Sequence, residues 1–490
     1  MRNATSISLP PPVRGYLPAT LLLGSLALAV TAGIAIAAGA PELGIAIALA
    51  IPMVTLVLRY PWAAVLIWLT VMPFFVVSPD GTAGPGVWLV HRLLVPMVVL
   101  VALVYRTLGL SRSHFRLSLT DMAIAAFLLL GYANIALLTG NPVRMSVAFY
   151  DDLVIPIAMY WLVRLIEPRD DDLRRMVPIM IGLILVQFSI GLLSWVAPAV
   201  LPDFWLGRAG ERTVGTLRGP GAYTVTLVFS SLIVLRRATM VRYALDRIVL
   251  LGIVAAGFYG VVLSFSRGSW LGAAVVVAGV FVLHRRLSLQ FLALTAVLAI
   301  AMAAGPLGNQ INFAAERLGD ASTADSRLVT DNAAVRMIEA RPVLGFGYGN
   351  FERSSEEYKE RLGDIPVAPG SSSHHAYLAF AAENGLPALI AYLFPAAWLL
   401  ILTFRRWWRV PRVGFMNRAL LVFLWLVIAD EFIVSNFTDL LHSNPWSTTL
   451  WWMSLGLIHV VLTRASLPAA ARPMAIRPVD PEPGTIGRVG

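Results

Sequence analysis

His374 and His375 stand side by side in SSSHHAYLAFAAENGL (371–386), at the mouth of an apolar run, and are two of only seven histidines in the chain. Histidine titrates near neutral pH, so an imidazole placed there can act as a general base toward a hydroxyl. Arginines in other polar connections supply complementary chemistry. Arg267 in SFSRGSW, and Arg212 and Arg218 in ERTVGTLRGPGAY, carry guanidiniums. Such groups grip a diphosphate through paired N–H donors and stabilise it as a leaving group. A base and a diphosphate clamp together suit transfer from a diphosphate-linked donor to a hydroxyl acceptor, with no separate energy source.

Other chemistries are disfavoured. The absence of cysteine excludes disulfides, thiolate metal sites and cysteine nucleophiles. Neighbouring side chains on a helix point about 100° apart, and no HxxxH or carboxylate follows the histidine pair at ligand spacing, so no metal is expected. Glu383 is at best a distant partner for His374. GFGYG (345–349) resembles a nucleotide loop only in its glycines. A phosphate loop needs a strand before it and a helix after it, so a tight turn packing the chain back onto a scaffold is the expectation here. Neither a cofactor nor a nucleotide is implied.

The scaffold that must position these groups is membranous. The 490 residues are 58% hydrophobic and only 13% charged, with a mean hydropathy of +0.75, whereas a soluble chain carries about 25% charge. Apolar runs long enough to span recur at 18–39, 43–59, 61–78, 87–105, 120–139, 151–167, 175–199, 221–236, 247–264, 269–284, 288–305, 379–404, 417–436 and 446–463. The fold expected is an all-α polytopic transmembrane bundle of about 12–14 spans. It divides into an N-terminal tail (1–17), an N-terminal bundle (18–305), one large water-facing loop (306–378), C-terminal spans (379–463) and a disordered tail (464–490) rich in proline and arginine. Within the loop, helical spacing is expected over 312–340 and over 352–364.

Loop charges fix the orientation. Arginine clusters fall in alternate connections: YRTLGLSRSHFR, EPRDDDLRR, RRATMVRYALDR, HRRLS and RRWWRVPRVGFMNR. The connections between them, such as SPDGTAGPG and SNFTDLLHSNP, are neutral or acidic. The positive-inside rule then puts both termini in the cytoplasm and the histidine pair outside. It also accounts for the net charge of +10 without a nucleic-acid partner. Arg144, Arg208, Arg212, Arg218, Arg267 and the arginines of the 306–378 loop remain on the outer side, where that rule gives no reason for them. An unpaired charge at a membrane boundary is costly, so an anion is expected near Arg267.

Four patches in order then resemble the bacterial O-antigen ligase and polysaccharide polymerase superfamily of membrane glycosyltransferases. They are GTLRGPGAY (215–223), SFSRGSWLG (264–272), RPVLGFGYGNF (341–351) and SSSHHAYLAFAAENGLPALI (371–390). The resemblance covers roughly residues 175–465. By position, it implies that His374 is the family's essential histidine, Arg267 the arginine of its serine-arginine-glycine motif, and Arg212 or Arg218 its upstream arginine. The asparagine usual after the histidine is His375 here, which leaves both histidines as candidates. The upstream patch also departs, reading Pro220-Gly221 where the family has proline-asparagine. The implied donor is an undecaprenyl-diphosphate-linked glycan, and the implied acceptor a sugar such as lipid A–core. The implied place is the periplasmic face of the bacterial inner membrane. A polymerase of the same superfamily, and a non-catalytic lipid or polysaccharide transporter, are the alternatives.

Overall fold

The computed structural model describes residues 56–57, 59–74, 87–108, 115–206, 212–217, 219–304, 322–359, 373–442 and 444–466. Arg218, the run at 18–39, most of 43–59, the N-terminal tail and nearly all of the C-terminal tail lie outside the described residues. Among the described residues every regular element is helical. The helices are α1 Trp62–Val71, α2 Val95–Thr107, α3 Leu119–Leu138, α4 Pro142–Phe149, α5 Ile155–Ile166, α6 Asp170–Val196, α7 Pro220–Ala238 and α8 Ala244–Leu263. They continue with α9 Arg267–Ala303, α10 Ser322–Ala340, α11 Phe351–Ser354, α12 Ala376–Asn384, α13 Leu386–Arg406, α14 Arg418–Ser435 and α15 Pro445–Ser466.

Seven segments among the described residues are long and apolar enough to cross a membrane: 90–107, 119–138, 142–166, 170–196, 244–263, 267–303 and 386–409. Lipid cannot hydrogen-bond a bare backbone, so helices are the natural solution for such runs. Starts are marked locally. Three aspartates, Asp170 to Asp172, occupy the first turn of α6, where they complement the helix dipole. Asn417 Oδ1 caps α14 by accepting from Ala419 N at 3.0 Å and Leu420 N at 3.2 Å.

Three expected boundaries shift. The run expected at 151–167 begins earlier, at Pro142, because Asn141 Oδ1 accepts from Arg144 N at 3.1 Å and starts a helix there. Arg144 therefore sits on a helical turn. The run expected at 379–404 is broken at Gly385, which separates α12 from α13. The charged stretch expected as a helix over 352–364 is one short helix, α11, followed by a 3₁₀ turn at Ser355–Tyr358. The two runs at 269–284 and 288–305 form the two arms of α9, which reverses at His284 (φ −141°, ψ 59°). Trp270 from the first arm and Leu298 and Met302 from the second pack into one cluster with Tyr259 and Phe265. A straight helix would hold the two ends of the segment about 50 Å apart.

The interior and the lipid-facing rim differ in composition. α7 and α15 are buried on nearly every side and carry polar side chains in pairs, such as Trp446 Nε1 donating to Thr226 Oγ1 at 2.7 Å. Trp446 also stacks on Trp68 of α1 with ring centroids 4.6 Å apart. α9 is the opposite case, with only 11% of its most apolar window buried. It presents Leu271, Val275 and Val282 outward, as a helix against lipid does.

Gly385 is the joint between α12 and α13. Its φ is +82°, and a Cβ there would overlap the Val343 carbonyl. A Gly385→Ala substitution combines left-handed strain with a backbone clash, so it is expected to lower stability by at least about 2 kcal/mol. Gly252, inside α8 with nothing near its Cβ position, is the control: Gly252→Ala should be neutral or stabilising by up to about 1 kcal/mol. Thermal unfolding of the two variants in detergent checks both signs.

Candidate functional site

The histidine pair is carried by a small second core. Ala334 and Met337 of α10, Phe351 of α11, and Ala379 and Ala382 of α12 bury each other, with Ile338, Phe346 and Tyr358 packed around them. The glycine turn locks this unit to the bundle. Phe346 N donates to Ala382 O at 3.0 Å, Gly347 N to Glu383 O at 2.8 Å, and Leu386 N to Pro342 O at 2.8 Å. Gly345 (φ +67°) lies so close to the Ala382 and Glu383 carbonyls that any side chain there would overlap them. Asn134 of α3 completes the joint. Its Nδ2 donates to Leu344 O at 2.6 Å and Glu383 O at 3.0 Å, and its Oδ1 accepts from Tyr348 N at 2.8 Å. GFGYG is thus a docking turn, as its sequence context implies.

Three further segments converge on the same end of the bundle. The strip 212–217, which begins with Arg212, is held by α6: Gln187 Nε2 donates to Thr216 Oγ1 at 2.6 Å, and Trp195 Nε1 to Thr213 Oγ1 at 2.8 Å. The SFSRGSW turn joins α8 to α9. There Phe265 adopts φ +49°, and Ser269 Oγ donates to Ser266 Oγ at 3.1 Å while accepting from Thr224 Oγ1 at 2.8 Å. Arg267 is the first residue of α9. Gly268 beside it has the Phe437 ring where a Cβ would be, so only glycine admits the 436–444 connection at this distance. Asn444 Nδ2 ties that connection to the strip by donating to Leu217 O at 2.9 Å.

Electrostatics show which charges share the site. His374 is exposed. Desolvation by its neighbours lowers its pKa below the ordinary histidine value, the positive charges of Arg327 and then Arg212 lower it further, and Asp439 partly offsets them. Arg327 of α10 is itself lowered by burial and by the charge of Arg267, with Asp331 opposing. Arg212, Arg267, Arg327 and His374 therefore form one electrostatic neighbourhood drawn from four segments. Arg327 was hidden in the sequence as one of several loop arginines.

His375 has a different task. Its Nδ1 accepts from Leu378 N at 3.3 Å and caps α12, so that nitrogen carries no proton. Burial lowers its pKa, opposed by Asp331. Among the described residues the His374 ring makes no hydrogen bond.

Sequence reasoning missed a largely buried ion cluster at the same end of the bundle. His442 Nδ1 lies 2.8 Å from Asp439 Oδ2, and its Nε2 lies 3.0 Å from Glu383 Oε2. Glu383 Oε1 accepts from Phe351 N at 2.8 Å, and Asp439 Oδ1 accepts from the Leu441 and His442 amides at 3.1 and 3.2 Å. Tyr348 lies against the His442 ring and donates to Asp152 Oδ2 at 3.3 Å. Burial opposes an imidazolium here, but the Asp439 and Glu383 carboxylates outweigh it and hold His442 well above its ordinary pKa. The visible signal was Asp439 and His442 three apart in SNFTDLLHSNP, a connection read only for its lack of basic charge. Glu383 serves His442 and the glycine turn.

The fold and site together define a multi-pass membrane protein with a cationic, histidine-bearing site at one end of its bundle. Residues 251–393 match the family described as O-antigen ligase. The chain thereby carries a domain of the O-antigen ligase/polymerase superfamily, which implies a glycosyltransferase-like enzyme. The match runs from α8 to the first part of α13 and includes Arg267, Arg327, His374 and His375; Arg212, Asp439 and His442 lie beyond it. No curated protein matches the chain.

The two histidines should separate by stability. His375→Ala removes a cap and is expected to cost about 0.5–2 kcal/mol, while His374→Ala, at an exposed position, should stay within about 0.5 kcal/mol. Equal thermal midpoints for the two variants would contradict the capping role. His442→Gln leaves Glu383 buried and Asp439 partly buried without their cation and should destabilise near neutral pH, by up to about 3–5 kcal/mol. Because the folded pKa of His442 is raised, its contribution is complete below about pH 6.5 and declines as pH rises through the folded value. The deficit of His442→Gln relative to wild type should therefore shrink in alkaline melts.

Proposed function

We propose that the protein transfers a glycan from an undecaprenyl-diphosphate carrier to a sugar hydroxyl at the periplasmic face of the inner membrane. The acceptor in an O-antigen ligase-type reaction would be lipid A–core; a polymerase would run the same step with a second carrier-linked repeat. The observation that carries this reading is the coupling of His374 to Arg327 and Arg212, and of Arg327 to Arg267. Two guanidiniums acting on His374, with a third acting on Arg327, support a base set near a diphosphate clamp, which is what such a leaving group requires.

In this mechanism Arg267, Arg212 and Arg327 hold the diphosphate. The acceptor hydroxyl attacks the anomeric carbon, a new glycosidic C–O bond forms, and the bond from that carbon to the phosphate oxygen breaks. The electron pair leaves with the carrier diphosphate, whose added charge the guanidiniums offset. The hydroxyl proton passes to His374, which is neutral at pH 7 because its pKa is lowered. His375 holds the start of α12 and so orients its neighbour. Arg218 belongs to the same upstream patch and is assigned with Arg212 to the carrier.

Purified protein in liposomes with a lipid-diphosphate glycan and an acceptor tests this. His374→Ala should slow transfer by about 10²-fold or more with the protein still folded, and Arg267→Glu should abolish carrier binding. Transfer that survives in both His374→Ala and His375→Ala would overturn the base. Movement of the carrier without transfer would instead favour a transporter. The wild-type kcat/KM, which reports the donor-free protein, should hold from pH 7 to about 6.5 and fall only in more acid buffer, where the lowered pKa of His374 is reached; a fall beginning above pH 7 would contradict the assignment.

A further inference from the structure

The helices that carry the histidine site at one end enclose a second site at the other. A cavity of about 410 Å³ is lined by residues at the start of α3 and the ends of α5, α13 and α15. Its polar wall includes Arg116, Arg164, Arg406 and Arg464, with Glu167 and His459. Arg164 is committed to the buried Asp121 carboxylate, and its Nη2 also donates to Arg116 O at 2.8 Å. Arg406 Nη1 donates to Leu462 O at 3.3 Å. Arg464 Nη2 donates to Glu167 O at 2.7 Å, and its Nη1 to Met416 Sδ at 3.1 Å. Apart from the Arg164–Asp121 pair, these bonds go to neutral acceptors and leave the charge in place. The lining itself carries four guanidiniums and one carboxylate, Glu167, with Asp121 behind Arg164 and Asp170, Asp172 and Arg169 acting on Arg464 from outside the lining.

The other wall is apolar. Trp398 and Leu402 of α13 face the cavity with Leu117 and Leu119, and the rim exposes Leu117 at 82%. Nearby, Phe404 and Trp408 project from the outside of the bundle. Such a site offers a cationic end for a phosphate and an apolar flank for an acyl chain. Its volume lies within the roughly 300–1,000 Å³ of small-molecule sites. Basic pockets between helices at a membrane boundary recognise anionic headgroups in this way.

We infer that this cavity binds the phosphodiester headgroup of an anionic phospholipid in the leaflet opposite the histidine site. The full chain would be purified and placed in nanodiscs of phosphatidylcholine alone or with phosphatidylglycerol. Retained lipid would be read by native mass spectrometry and stability by thermal unfolding. The wild type should retain phosphatidylglycerol over phosphatidylcholine and melt higher in its presence. The double variant Arg116→Gln with Arg406→Gln spares the Arg164–Asp121 pair. It should melt like wild type in phosphatidylcholine but lose the phosphatidylglycerol preference by about tenfold, which is about 1.4 kcal/mol. Equal retention of the two lipids by wild type, or an undiminished preference in the variant, would overturn the site. If inorganic phosphate alone reproduced the stabilisation, the ligand would be a free anion and the lipid assignment would be wrong.

Discussion

A protonated histidine held between a buried and a partly buried carboxylate organises one end of this molecule. Charges removed from water must be paired or they are expensive, so His442, Asp439 and Glu383 fix one another's positions. Each belongs to a different structural task. Glu383 ends α12 and holds the glycine turn through Phe351 N. Asp439 folds the connection between α14 and α15 around itself. That connection lies against Gly268 and is tied to Leu217. The end of α12, the turn that begins α9 and the Arg212 strip are thus referred to one ion cluster, though none of the proposed reacting groups belongs to it.

Around that anchor, environment gives two adjacent histidines different work. His375 spends a ring nitrogen on the backbone of α12. His374 has its pKa lowered by desolvation first and then by the guanidiniums of Arg327 and Arg212. On the proposed mechanism the same charges serve twice. They attract the diphosphate, and before it arrives they suppress protonation of the base. A bound diphosphate would offset those charges and raise the proton affinity of His374, so donor binding would strengthen the base beside it.

The general form of this protein was legible in its sequence because lipid enforces it. Long apolar runs have few alternatives to helices, and Leu119–Leu138 falls within a residue of its expected place at 120–139. Errors fell where local chemistry overrides hydropathy: the Asn141 cap that begins α4 early, and the Gly385 joint that splits one apolar run. His374 and Arg267 stood out because their surroundings gave them no other reason to be there. Arg327, Asp439 and His442 did not. Their significance lies in contacts between segments distant in sequence, and a charged residue in a loop carries no mark of its partner. Hydropathy likewise gives no mark of Asp430 and Glu431, which are buried inside α14.

On the proposed mechanism, the placement of Arg267 suits a lateral route to the site. One face of α9 is turned inward, where Gly268, Gly272 and Gly279 meet Phe437, Asp430 and Leu426. The other face exposes Leu271, Val275 and Val282. A lipid-linked donor could lay its hydrocarbon along that exposed face without leaving the bilayer. Its diphosphate would then reach the end of the helix that carries Arg267, where the unpaired N–H groups and dipole of an α-helix favour an anion. Glycine on the inner face is therefore as important as arginine at the tip. A larger residue at Gly268 or Gly272 would push α9 off the bundle and carry Arg267 away from the charges it shares with Arg327.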